Sequence, residues 1–284
     1  TGNDLTPGAT QAIAGLDYTP VTTPITITIL AGQLTGSTTV LVPALIDPIV
    51  ELPETFTLNG TVTSGNTDNT NPVGTGTITE SLPLPTLTLT GTTVVEGNPV
   101  EFTATLSTAS STPVTFTVLT TSGNPPNGAT SNADFQPILV PILVTIPANS
   151  LTYVLPFTIG TIIDPIFEQT ETFFLNATVT SGNTDNIDPV GIGTITESLL
   201  PPTFTITGNT ATEGNPITFT ATLSGPSSTD TIITVVTNTG TATSPEDYNA
   251  TPTVTTITIP AGSLTGTTQV NALDVVVSSL LFFS

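Results

Sequence analysis

The chain has no lysine, arginine, histidine, cysteine, methionine or tryptophan among its 284 residues. Its 21 carboxylates face no basic side chain, so the formal net charge is −21 and no side-chain salt bridge can form within it. Nucleic acid is excluded as a direct partner, because binding it needs Lys or Arg to displace counterions. An anionic membrane surface is disfavoured for the same reason. Without cysteine there is no disulfide framework, and stability must come from sheet packing, contacts between repeats or metal. Catalysis lacks the usual His, Cys or Lys base or nucleophile, and the many Ser and Thr hydroxyls have no visible activating partner. Paired carboxylates alone can hydrolyse glycosides, but no cleft-forming pattern accompanies them, so the chain is read as non-catalytic. No apolar run reaches the roughly 18 residues of a membrane span, and the closing LLFFS is too short. No basic, apolar leader is visible either; both ends read as cut from a longer array.

What is present favours strands. Hydrophobic residues make up 37% of the chain and charged ones only 7%, which separates it from a disordered acidic tail. Mean hydropathy is positive, and Thr, Val and Ile dominate every segment. Length alone allows about two domains.

Internal repetition sharpens that estimate. SGNTDN begins at Ser64 and again at Ser181, GTITES carries Glu80 and Glu197, the DP pair falls at Asp47 and Asp164, and EGNP starts at Glu96 and Glu213; each step is 117 residues. Asp17 to Asp134 is also 117, whereas Asp134 to Asp247 is 113, so the last copy carries a four-residue deletion. This period is far too long for a solenoid repeat and fits a whole sandwich domain. The division expected is a partial repeat over 1–82 that lacks opening strands, a full repeat over 83–200, and a partial repeat over 201–284 that lacks closing strands. Proline in ESLPLP and ESLLPP stiffens the two junctions.

In the middle copy, period-two alternation bounded by Gly, Pro, Asn and Ser predicts seven strands: 86–95, 100–106, 114–120, 138–146, 151–159, 172–179 and 191–196. Helix should be minimal. The fold class expected is therefore all-β, as tandem seven-stranded immunoglobulin-like sandwiches. Tyr18, Phe135 and Tyr248 read as core anchors, and Asp68, Asp185 and Asp188 as turn residues near the opposite pole. Asn59, Asn176 and Asn249 lie in N-x-T triplets and are read as ordinary strand or turn residues.

Strand order places the acids. In an antiparallel sandwich, alternate connections share an end. Glu96 follows the first strand, Asp134 precedes the fourth, Asp164, Glu168 and Glu171 lie between the fifth and sixth, and Glu197 ends the seventh. Six carboxylates should thus meet at one pole, and Asp17, Asp47, Glu51, Glu54 and Glu80 form the matching set in the first copy. Such a cluster must stay hydrated, take up protons or hold a cation. Ca²⁺ suits it, since it takes six to eight hard oxygen ligands. Zinc and copper fit poorly without His or Cys, while magnesium stays open on ligand type. The last copy offers only Glu213, Glu246 and Asp247.

The blocks VVEGNPVEFTATLS, SNADF, IIDPIFEQTETFFLNATV and GTITE of the middle copy together resemble the Calx-β domain, a family common in exchangers and bacterial surface proteins. That resemblance implies a seven-stranded sandwich with calcium ligands at Glu96, Asp134, Asp164, Glu168, Glu171 and Glu197. Lone Asp164, followed by Pro165, and lone Glu197 stand where calcium-sensing members carry aspartate runs, which implies fewer ions or weaker binding. Long, Thr-rich, Lys-poor tandem arrays also resemble giant surface adhesins of gliding Bacteroidetes, in composition rather than motif. The expectation is an extracellular, cell-surface stalk or filament whose partners are neighbouring repeats and an unidentified surface, glycan or protein ligand. The alternatives are a calcium-dependent glycan- or protein-recognition module and a passive filament subunit.

Overall fold

The computed structural model describes residues 10–274, apart from 66, 69, 183 and 251–254. Among them there is no helix, and none is long and apolar enough to cross a membrane. The protein is all-β.

The middle segment is a two-layer sandwich. Its strands are β4 (Leu87–Gly91), β5 (Thr93–Val95), β6 (Val100–Leu106), β7 (Ala109–Ser110), β8 (Val114–Thr121), β9 (Ile142–Ile146), β10 (Thr152–Ile159), β11 (Glu171–Ser181) and β12 (Val190–Thr196). One sheet runs β10-β6-β4 and the other β5-β12-β11-β8-β9; all pairs are antiparallel except β5 with β12. Alternation drives the layering. Val100, Phe102, Ala104 and Leu106 of β6 turn inward while Glu101, Thr103 and Thr105 stay out, and β8 repeats the pattern with Val114, Phe116 and Val118. From β11, Phe173, Leu175 and Ala177 complete the core. Fully burying one such Phe, Leu or Val stabilises the fold by about 1.5–3 kcal/mol.

Aromatic rings tie this core to the polar end. Phe135, fully buried, stacks on Phe173 at 4.3 Å, and Phe102 meets Phe173 edge-on at 6.1 Å. Gly193 makes room for the ring, since a Cβ there would sit 2.5 Å from Phe173 Cζ. The first segment repeats the arrangement: Tyr18 stacks on Phe56 at 4.7 Å, and Phe56 lies over Gly76.

Two expected strands differ in detail. The opening strand, 86–95, breaks at Thr92, so that β4 joins one sheet and β5 crosses to the other. Thr92 anchors the switch, accepting from Glu101 N through Oγ1 at 3.0 Å and from Thr194 N through its carbonyl at 3.3 Å. The expected strand 138–146 begins only at Ile142, because Pro137 and Pro141 have no N–H for a ladder, and Leu139 and Val140 lie exposed.

The flanking segments are sparser. The first holds β1 (Ile49–Val50), β2 (Glu54–Asn59) and β3 (Val73–Ile78), the latter two forming an antiparallel pair. Residues 10–48 form only isolated bridges, and Ile25, Ile27, Ile29 and Leu34 are exposed despite their strand-like alternation. Residues 25–29 lie 117 residues before β9, which pairs with β8, and the first segment offers no counterpart of β8 among the described residues. The last segment carries β13 (Phe204–Gly208), β14 (Pro216–Leu223), β15 (Thr231–Val235), β16 (Thr255–Ile259) and β17 (Thr265–Asn271), in sheets β13-β14-β17 and β15-β16. Without counterparts of β11 and β12 among the described residues, a cavity of about 410 Å³ opens between these sheets, lined by Ile217, Phe219, Val235, Tyr248, Ile257 and Val270.

Candidate metal centre

Each acid of the middle segment is placed by a local device. Glu96 directly follows β5, its N–H bonded to Thr196 O at 3.0 Å, in a tight turn where Gly97 takes φ +80°. A Cβ at Gly97 would also strike the Ile163 side chain at 2.5 Å, so the glycine of the EGN motif answers both to backbone sign and to packing. Asp134 sits in a turn closed by its own N–H to Thr130 O at 2.9 Å, with its Oδ2 accepting from Thr130 N. The carbonyl of Asp134 accepts from Ile162 N at 2.9 Å, and this joins that turn to the acidic loop 164–171. Asp164 Oδ1 accepts from Ile166 N at 2.7 Å, an Asx turn that folds the loop back. Glu171 opens β11 opposite Ile195.

Five of the six expected carboxylates meet in two groups. Ligand atoms of Glu96, Asp164 and Glu168 lie within 4.8 Å of one another, and so do those of Asp134, Glu168 and Glu171. Glu168 belongs to both. Oxygens bound to one calcium ion at its usual bond lengths lie up to roughly 4.6–5.2 Å apart, so each trio is compact enough to share an ion. Glu96 and Asp134 are buried, the others partly so.

Glu197 is at this pole but is used differently. Its Oε2 accepts from Glu168 N at 2.5 Å, and its Oε1 accepts from Ser198 N and Leu199 N at 2.6 Å each. Both oxygens accept backbone N–H groups of the acidic loop and of the chain beyond β12, and neither trio includes the residue. A carboxylate's place in the sequence does not say whether it faces amides or an ion.

The first segment is built alike. Asp17, Glu51 and Glu54 form a trio, and Asp17 and Glu54 are only 6% and 4% exposed. Asp17 accepts from Ile13 N, and its carbonyl accepts from Leu45 N at 2.8 Å, as Asp134 does with Ile162. Asp47 Oδ1 takes Ile49 N at 2.8 Å, and Glu80 takes Glu51 N at 2.8 Å through Oε2 and Leu82 N at 2.7 Å through Oε1. All five expected residues line one cavity of about 290 Å³. The last segment shows no such trio among the described residues: Asp247 Oδ2 accepts from Thr243 N at 2.7 Å, closing its own turn.

The electrostatics follow from crowding. Burial first, then the nearby Asp134 and Asp164 charges, push Glu168 up to about 7. Burial and the Asp134 and Glu168 charges push Glu171 up to about 8. Glu96 is also raised, chiefly by burial; the Ser198 hydroxyl, donating to its Oε2 at 3.0 Å, acts in the opposite direction. Ser198 was not among the residues expected here, and a lone serine after GTITE gives no signal of its own. A divalent cation would reverse all three shifts by favouring the ionised form. The donor set is oxygen alone, which suits Ca²⁺ or Mg²⁺ and not the softer metals.

No family model matches the chain, and no curated protein matches it. Among solved structures, a crystal structure of CBD12 from CALX1.2 aligns at 16% identity and TM-score 0.31, covering 66% of this chain and 75% of that one. The apo form of the Calx CBD1 domain aligns at 17% identity and TM-score 0.31, covering 41% of this chain and 99% of that one. A crystal structure of the calcium binding domain CBD12 of CALX1.1 gives 16%, 0.30, 66% and 76%. Scores this low leave function to be read from the side chains themselves.

The turn residues lie elsewhere. Asp185 Oδ2 accepts from Thr86 Oγ1 at 2.9 Å, and Asn186 clamps Leu87 through both its N–H and its carbonyl at 2.8 Å each. Asp188 Oδ1 accepts from Thr178 Oγ1 at 3.2 Å. The Asp185 and Asn186 contacts hold the start of β4, and Asp188 binds β11, at the end of the sandwich away from the acids.

Proposed function

We propose that this chain is a non-catalytic, extracellular stalk region of a bacterial cell-surface adhesin, of the kind used in gliding motility, whose acidic poles bind Ca²⁺ and thereby stiffen successive repeats. The observation that carries the reading is the pair of carboxylate trios sharing Glu168, in a chain with no cationic side chain to neutralise them. Cation-free, the pole holds protons at neutral pH on groups that would otherwise be ionised. Glu96, Asp164 and Glu168, together with Asp134 and Glu171, would hold the ion, whose charge would favour their ionised forms and tie the turn after β5, the Asp134 turn and the acidic loop to one another. Because the ion binds the folded arrangement and not the unfolded chain, it stabilises the repeat by linkage. The partners of this reading are neighbouring repeats along the same chain and an unidentified surface, glycan or protein ligand.

Calorimetric titration with calcium, followed by small-angle scattering with calcium or chelator, tests this. Saturable heat and a narrower, longer distance distribution in calcium support it. Absence of both refutes it.

A further inference from the structure

We propose that the two-residue centre of each acidic loop, Ile49–Val50 and Ile166–Phe167, is a docking edge received by a Ser-Ser-Thr bend on the next repeat, and that this backbone dovetail fixes the angle between successive repeats. The inference deepens the stalk reading and rests on it for its biological setting.

The same junction occurs twice. Ile49 and Val50 pair in parallel with Ala109 and Ser110, and Ser111 N donates to Val50 O at 2.9 Å. At the second junction, 117 residues on, Phe167 bridges Ser227, Phe167 N donates to Pro226 O at 3.0 Å, and Ser228 N donates to Phe167 O at 3.0 Å. The receiving bend is also the same. Ser110 and Ser227 each accept the N–H of the Thr two residues on, at 3.2 and 3.3 Å, which locks Ser-Ser-Thr into one shape. A hairpin turn with a left-handed residue backs each bend: Asn149 (φ 63°) donates to Ser110 O at 2.7 Å, and Gly262 (φ 70°) donates to Ser227 O at 2.8 Å. The 113-residue offset between Asn149 and Gly262 matches the four-residue deletion, so the bend keeps its support despite it.

The inserted dipeptide is held from both sides by carboxylates of its own pole. Asp47 takes the N–H of Ile49 and Glu80 that of Glu51, while Asp164 takes that of Ile166 and Glu197 that of Glu168. Anchored so, the dipeptide presents its remaining N–H and carbonyl outward as a ready strand edge. Specificity lies in backbone shape more than in side chain, since Val50 and Phe167 occupy the same place. The partner that fits is therefore another copy of this repeat bearing the Ser-Ser-Thr bend.

The absence of cysteine makes the test direct. In the full chain, Val50→Cys with Ser110→Cys, and Phe167→Cys with Ser227→Cys, should each form an intramolecular disulfide roughly tenfold or more faster than the mismatched pair Val50→Cys with Ser227→Cys, because only apposed strand residues have the required Cα spacing. The reaction is run in calcium and in chelator. Matched pairs that oxidise no faster than the mismatched pair overturn the dovetail. A second measurement guards against local misfolding: Ser111→Pro with Ser228→Pro removes two docking N–H groups and should broaden the scattering distance distribution while calcium heat persists, and an unchanged distribution overturns it. Docking without calcium heat would defeat the stalk's calcium chemistry alone, and heat without docking would defeat this proposal alone.

Discussion

Calcium binding at the middle pole should release protons, and the number can be worked from its two most perturbed carboxyls. With Glu168 at about 7 and Glu171 at about 8, at pH 7 the cation-free pole carries about half a proton on the first and nine-tenths on the second, roughly 1.4 together. These protons belong to the interacting pair rather than to either residue singly. Filling the pole needs both carboxylates ionised, so these two groups together release close to 1.4 protons per filled middle pole at pH 7. At pH 9 the same arithmetic gives roughly 0.1. Calorimetric titrations in two buffers of different ionisation enthalpy read the difference directly. Apparent enthalpy should depend on buffer at pH 7 and hardly at pH 9. Equal enthalpies in the two buffers at pH 7, with calcium bound, would mean that these carboxyls are not the ligands.

Further outcomes follow from the same geometry. Glu168→Gln, which touches both trios, should weaken calcium binding more than Glu96→Gln or Glu171→Gln, by calorimetry on each variant. In chelator, stability should be greatest below the unfolded value of 4.5 and decline as pH rises through about 7 and 8, because the folded pole binds more protons than the unfolded chain; urea midpoints between pH 5 and 9 check the sign, and calcium should flatten the decline. Phe173→Ala removes a fully buried ring stacked on Phe135 and should cost about 3–5 kcal/mol by denaturant unfolding. Gly97→Ala should lower both stability and calcium affinity, since it strains a positive-φ turn and pushes on Ile163 beside Glu96.

Much of the middle segment was legible because alternation is local. The pattern in EFTATLS gives the inward face of β6 directly, and strand parity then carries Glu96, Asp134 and the acidic loop to a common end. Parity could not show how each carboxylate spends its lone pairs. Glu197 and Glu80 have the same sequence setting as a ligand, yet their oxygens face loop N–H groups. The break at Thr92 was hidden because it depends on which sheet each half can pair with, a property of distant strands. Residues 25–30 show the converse: their alternation is strand-like, but pairing requires a neighbour, and the first segment has none for them among the described residues. Backbone pairing between repeats leaves no alternation signal at all. Ile49–Val50 and Ser-Ser-Thr look like ordinary loop residues until the two junctions are compared.

Equilibrium dialysis with radioactive calcium at 0.15 M salt and pH 8 separates a built cation site from the loose ion atmosphere of a polyanion. Two trios sharing one glutamate predict saturable uptake that falls in Glu168→Gln and survives the salt. Uptake that rises in proportion to free calcium, ignores Glu168→Gln and is screened away by salt would contradict the account.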